Sequence, residues 1–358
     1  MARDISLDEI ESLAVGAWIL GTGGGGSPYL GLLNMRRLYA EGCRVRLMSP
    51  FDLADEDWVA VVSNMGAPLV GQERLSDSRN IARAVRMQEE FHGWKFRAVM
   101  SLEIGGNNSI QPLMAAAHLD LPVVDADTMG RAYPEAQMTS VAVGDLRPYP
   151  CALYDPRGIE AIVTNVPSWK WMERASRKIC AEMGSIASTC KAPRTGAEIK
   201  QWGIHFTTSK AIGIGGRVRE AQRLHEDPIA AVIDQANGKL LFRGKVVDVA
   251  RRTTEGFLRG RAIIEGLDDD RGSRLELAFQ NEWVVAWRDG EPIAMSPDLI
   301  CVLDSISGNA FGTETIRYGM RASVVALPAP PVFLTPKGLE HVGPRAFGHD
   351  IEFKSVFA

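Results

Sequence analysis

Four short apolar runs separated by helical periods dominate the first 125 residues, and that alternation leaves few folds open. Residues 45–48, 58–63 (WVAVVS), 96–102 (FRAVMSL) and 121–124 each read as a strand. Helical spacing marks 79–91 and 110–118 between them. Strands alternating with helices specify an α/β layer with a largely parallel sheet. Right-handed crossovers then bring successive strand carboxyl ends to one edge. Open α/β sheets hold their ligands outside that edge. The polar residues that follow the runs are therefore the first site candidates: Asn64, then Glu103 and Asn107, then Asp125, Asp127, Arg131 and Glu135.

Asp125 and Asp127 are two residues apart, so in an extended segment both would face the same way. Carboxylates that close share a proton, bind a divalent cation or pair with Arg131. Glu103 and Glu135 would complete a catalytic set. The plainer reading makes Asp127 a helix cap and Asp125 a turn former, and it stays open for either residue alone. A divalent metal is thus compatible with the set, and no cofactor motif accompanies it.

A second constraint is the run GTGGGGSP at 21–28. The capping box Ser6/Glu9 opens a helix that reaches about Leu20, and Ser27-Pro28 opens the next, Ser27 as N-cap and Pro28 at the first helical position. Four successive glycines are entropically costly in a mere connector. They let backbone N–H groups converge beside a helix start, where an anion is favoured. Gly23, Gly24, Gly25, Gly26 and Ser27 are therefore expected to bind substrate, together with Asn64 and Asn107. The run is not a dinucleotide fingerprint, because it follows a helix and not a strand. Nor is it a P-loop, which needs Gly-Lys-Ser/Thr where this has Gly-Ser-Pro.

Beyond about residue 165 the pattern changes, giving a first domain at 1–165 and a second at 166–358. Residues 169–183, 196–201 and 208–224 look helical, the last weakened by Gly213, Gly215 and Gly216, and 184–191 reads as a strand. From 239 onward short apolar runs predict a β-sandwich or partial barrel, with hairpin signals at Asn237-Gly238 and Asp289-Gly290. The tail carries Phe347, Ile351 and Phe353, enough to dock back. His205, between Trp202 and Phe206, reads as a packed histidine more than a base. The polar groups Gln280, Asn281 and Glu282 either face the first domain's cleft or form turns, and turns are the favoured reading.

Composition narrows the function classes. The chain has 358 residues, a net charge of −4 and no long basic run, which disfavours nucleic acid. Its five cysteines include no Cys-x-x-Cys pair, so free thiols are expected. The first residues are acidic where a secretory signal would be apolar, and no apolar run is long enough to span a bilayer. These features predict a cytoplasmic protein with a small-molecule substrate, no membrane or nucleic-acid partner, and room for a homo-oligomer.

The motifs GTGGGGSPYLG at 21–31, NMGAP at 64–68, EIGGNN at 103–108, PVVDADTMGRAYPEAQM at 122–138, QNEW at 280–283, PDLICVLD at 297–304 and the closing GPRAFGHDIEF resemble a bacterial family associated with S-methyl-thiohydantoin desulfurase. The resemblance implies an α/β N-terminal domain, a β-rich C-terminal domain, and hydrolytic loss of a sulfur substituent from a five-membered ring. Asp125 or Asp127 would activate water, and Arg131 or the glycine turn would hold negative charge. The competing expectation is a non-catalytic metabolite- or nucleotide-binding subunit of a hydantoinase-like complex.

Overall fold

The structure, a computed structural model, describes residues 2–66, 70, 77–254 and 256–358. Strand β1 (Arg3–Ile5) leads into helix α1 (Leu7–Leu20), where Ser6 and Glu9 satisfy each other's N–H groups as the capping box requires. Helix α2 (Tyr29–Ala40) follows the glycine turn, but its N-cap is Pro28 and not Ser27. The Pro28 backbone is already helical, and Ser27 Oγ stands 3.4 Å from the Tyr29 N–H.

The next elements are β2 (Val45–Met48), β3 (Trp58–Gly66), α3 (Arg79–His92), β4 (Ala98–Ser101), α4 (Gln111–Leu119), β5 (Val123–Val124) and β6 (Ala126–Asp127). They continue through α5 (Ser140–Val143), β7 (Cys151–Asp155), β8 (Ile159–Val163), α6 (Trp169–Glu182), β9 (Ile186–Cys190) and β10 (Arg194–Thr195). The first sheet runs β1-β2-β5-β4-β3-β9-β7-β8, with β10 also on β3. Its middle four strands, β2, β5, β4 and β3, are mutually parallel. The flanking strands are antiparallel, so the sheet as a whole is mixed. Strand β3 outlasts the expected 58–63 because β9 pairs with it as far as Gly66. Two residues of the expected NMGAP turn, Ala67 and Pro68, lie outside the described residues.

Helices α7 (Gly196–Trp202), α8 (Thr207–Leu224) and α9 (Pro228–Ala236) follow, with the two-residue strand β11 (Ile204–His205) before α8. Helix α8 packs on α1 at very short range. A Cβ on Gly215 would lie 1.8 Å from the Ser12 carbonyl oxygen, and one on Gly16 would lie 1.9 Å from that of Ala211. Gly215, which weakens the helical pattern, is thus what lets the two backbones meet.

The second sheet is antiparallel throughout: β12 (Lys239–Thr254), β13 (Phe257–Gly266), β14 (Arg274–Gln280), β15 (Glu282–Arg288), β16 (Glu291–Met295), β17 (Leu299–Asp304) and β18 (Arg321–Leu327), in the order β16-β15-β14-β13-β12-β18-β17. Asp289 and Gly290, both at positive φ, make the expected two-residue turn between β15 and β16. Asn237-Gly238 does not form a hairpin. Asn237 ends α9 in the left-handed conformation, which suits a helix terminus as well as a turn. One apolar cluster runs from Ala60, Val62 and Val99 of the first sheet, through α1, α8 and α9, to Leu299, Leu303 and Val325 of the second. The tail docks as expected, with Phe347, Ile351 and Phe353 on Val284, Val285 and Met295. Among the described residues no helix is long and apolar enough to cross a membrane.

Candidate active site

A cavity of about 510 Å³ opens beyond the carboxyl ends of β3 and β4. The strand ends supply Asn64, Glu103, Asn107 and Asn108, and the glycine turn supplies Gly25, Gly26 and Ser27. The far wall comes from later in the chain: Lys191 just past β9, and Asn281 and Glu282 where β14 turns into β15.

Glu103 is the most constrained group there. It is 6% exposed. One carboxylate oxygen accepts from Asn108 Nδ2 at 2.5 Å and the other from the Tyr133 N–H at 3.0 Å. Burial pushes its pKa up to about 7, against the pull of those two donors. The Asp127 charge adds to the rise and the Lys191 ammonium opposes it.

Lys191 is 9% exposed, and its ammonium has no ion-pair or hydrogen-bond partner among the described residues. Its backbone is fixed, N–H to the Val61 carbonyl at 2.7 Å. Glu282 is buried, with one carboxyl oxygen unpartnered among the described residues. Burial, and then the neighbouring Glu103 charge, raise its pKa well above the usual carboxylate range, which favours the protonated form. Asn107 Oδ1 is a further buried acceptor with no partner among the described residues, packed where a Cβ on Gly31 would lie 2.3 Å away. Lower on the wall, Glu173 pairs with Arg177 at 2.5 Å and also accepts from the Ala136 N–H.

In the glycine turn, Gly23, Gly25 and Gly26 all take positive φ. The Asn107 N–H donates to the carbonyls of both Gly25 and Gly26, at 3.1 and 3.0 Å. Those carbonyls are thereby turned toward the single 3-10 turn at Gly106–Ser109. The N–H groups of Gly25, Gly26 and Ser27 have no acceptor among the described residues. Gly23 and Gly24 do not line the cavity. Their carbonyl and Cα edges face the second sheet instead: Gly23 O accepts from Thr313 N–H at 2.8 Å, and a Cβ on Gly24 would meet Glu282 Oε1 at 1.9 Å.

The two aspartates part company. The chain leaves the first sheet at Asp125, and β6 pairs with β11 in a separate ribbon. Asp125 turns away from the cavity and accepts from the N–H and hydroxyl of Ser209, in the first turn of α8. Asp127 is fully buried and accepts from the N–H groups of Ile104, Met129 and Gly130. Burial outweighs those donors and raises its pKa to about 7. Arg131 is also fully buried. It donates to Thr22 Oγ1 at 2.7 Å and to the carbonyls of Trp283, Pro297 and Asp298, and it lies over the Tyr133 ring. Glu135 does line the cavity, held by Gln137 and Gln280. His205 lies outside it, on the Ile199 carbonyl and against Phe51.

The strand-end rule thus brings together Glu103, Asn64, Asn107 and Glu135, and leaves Asp125, Asp127 and Arg131 as supports behind them. Lys191 and Asn108 were not singled out from the sequence, and Glu282, for which turns were the favoured reading, faces the cavity instead. Lys191 closes a Ser/Thr-rich strand that carries no chemical signature, whereas Asn108 and Glu282 sit inside the quoted motifs EIGGNN and QNEW. Among the described residues no three His, Cys, Asp or Glu side chains are grouped to hold a metal ion.

The S-Me-THD-like N-terminal domain matches residues 8–165, and the S-Me-THD-like C-terminal domain matches 167–356. The fold is similar to a crystal structure of a protein from Chromobacterium violaceum, with a TM-score of 0.81 and 23% identity over 99% of this chain and 100% of that one. No curated protein matches.

Proposed function

The chain belongs to the S-Me-THD-like family, and from that premise we propose that it is a hydrolase that removes a sulfur substituent from a thiohydantoin-like ring. Water adds to the ring carbon that bears sulfur, the carbon–sulfur bond breaks, and the thiol leaves with a proton as the carbon becomes a carbonyl. The observation that carries the reading is a buried glutamate, Glu103, facing a cavity it shares with the buried Lys191 and the buried Glu282 carboxyl, both without a charged partner among the described residues.

Each step has a group suited to it. Glu103, with a pKa near 7, is both populated as carboxylate and basic enough at neutral pH to take a proton from water. The Lys191 ammonium, held in a poorly solvated wall, stabilises negative charge on the tetrahedral adduct. Glu282, favoured in its protonated form, returns a proton to the ring nitrogen or the departing sulfur. Carboxamides of Asn64, Asn107 and Asn281 suit a ring with alternating N–H and C=O groups. The N–H groups of residues 25–27 beside the start of α2 favour a carboxylate substituent. Five unbridged cysteines support a reducing, cytoplasmic setting.

The test is thiol release from an S-methyl-2-thiohydantoin. Glu103→Gln is expected to lose at least about 100-fold in kcat, the usual scale for a general base, with its fold retained by circular dichroism. Full turnover by that variant, or no thiol from the wild-type protein, would overturn the proposal.

A further inference from the structure

We propose that Asn108 is the positioning residue of this site, the side chain that fixes the direction in which Glu103 meets the attacking water. The inference rests on Glu103 being the base, and it extends that reading to a residue that need not touch the reacting atoms.

The geometry leaves Asn108 one orientation. Its Oδ1 accepts from the Asn64 backbone N–H at 2.8 Å, so the other end of the amide, Nδ2, must be the end that faces Glu103, and it does so at 2.5 Å. Flipping the amide would set N–H against N–H on one side and oxygen against oxygen on the other. The backbone of Asn108 is fixed too. Ser101 Oγ reaches both the Asn108 carbonyl and the Glu103 carbonyl, at 3.0 and 2.5 Å. Asn108 is therefore anchored to two strand ends, β3 through Asn64 and β4 through Ser101. The Tyr133 N–H holds the second oxygen of Glu103. Between them the two donors define the plane of the carboxylate and leave its remaining lone pairs to the cavity.

A donor that favours the ionised form also sets when Glu103 is a base. The charged groups that face it are Asp127, which disfavours its ionisation, and Lys191, which favours it. Glu282 senses its charge from across the cavity. Asn108 is the uncharged side chain in that balance and can be changed without altering the others.

Two variants separate positioning from scaffolding. Asn108→Asp keeps the acceptor for Asn64 but replaces the donor with an oxygen, while Asn108→Ala removes both. The Glu103 titration is read directly by ¹³C NMR on carboxyl-labelled glutamate, assigned with Glu103→Gln. Loss of the donor is expected to raise the Glu103 pKa by about one unit, the scale of one hydrogen bond to a charged group, and by more in Asn108→Asp, where a like charge is added. The acidic limb of kcat/KM for thiol release should move by the same amount. An unchanged Glu103 titration in Asn108→Asp would overturn the inference. If the NMR shift occurs but Glu103→Gln still turns over normally, the assignment of the base fails while the Asn108–Glu103 coupling stands.

Discussion

Glu103→Gln is expected to make the protein more stable at high pH while it destroys activity. A buried carboxyl raised from 4.5 to about 7 costs about 3 kcal/mol to ionise in place, at roughly 1.4 kcal/mol per pH unit. Between those two values the folded state binds more protons at this position than the unfolded state does. Stability therefore falls as pH rises through that window, and the loss is complete above it. Glutamine removes the titration but brings a second effect. Its amide nitrogen must face one of the two donors that Glu103 accepts from, Asn108 Nδ2 or the Tyr133 N–H. That mismatch costs about 1–3 kcal/mol, the same at every pH. The diagnostic quantity is thus the pH dependence of the difference, not its value at one pH. Urea unfolding of both proteins at intervals from pH 4.5 to 8 gives it directly. The stability of the variant relative to wild type should climb by about 3 kcal/mol across that range. Asp127, also raised to about 7, titrates in both proteins and cancels to first order. Parallel stability curves would show that Glu103 ionises as freely in the fold as out of it, and the reasoning for a tuned base would fail.

Lys191→Met should preserve the fold and lower kcat for thiol release by about 100-fold or more, the scale for losing one preorganised electrostatic contact; a change in KM alone would make Lys191 a binding group only. Asp127→Asn should destabilise by about 1 kcal/mol or more: the amide oxygen can keep the N–H groups of Ile104, Met129 and Gly130 that meet Oδ2, but the amide nitrogen then replaces Oδ1, which the Gly130 N–H also approaches at 3.0 Å, and urea unfolding measures it. Gly215→Ala should cost about 1–3 kcal/mol or more by wedging α8 off α1, a loss that differential scanning calorimetry would register as a lower melting temperature.

The parallel strands and the edge on which the site lies were legible because apolar runs and helical periods are local properties of the chain. Glu103, Asn64 and Asn107 follow from that edge by the strand-end rule alone. The pairing of Asp125 with Asp127 does not survive, since parity holds only within one strand, and here the chain changes sheets between Val124 and Ala126. Lys191 was illegible, and Glu282 was left between cleft and turn, for a different reason. They reach the cavity through β9, antiparallel to β3, and through the β14–β15 turn. No local pattern announces which distant strand will pair with which. Asn237 shows the remaining ambiguity: a residue suited to positive φ serves a hairpin or a helix end equally well, and the neighbours decide.

The glycine turn carries one more consequence. Thr22 and Gly23 give their carbonyls to Trp283 and Thr313, and Arg131 spans from Thr22 to the carbonyls of Trp283, Pro297 and Asp298. Although the family divides near residue 166, neither half is a transferable module. A chimera that joins the first half of one relative to the second half of another would have to inherit this clasp intact from both parents. Exchange within such a family should therefore favour whole chains over recombined halves.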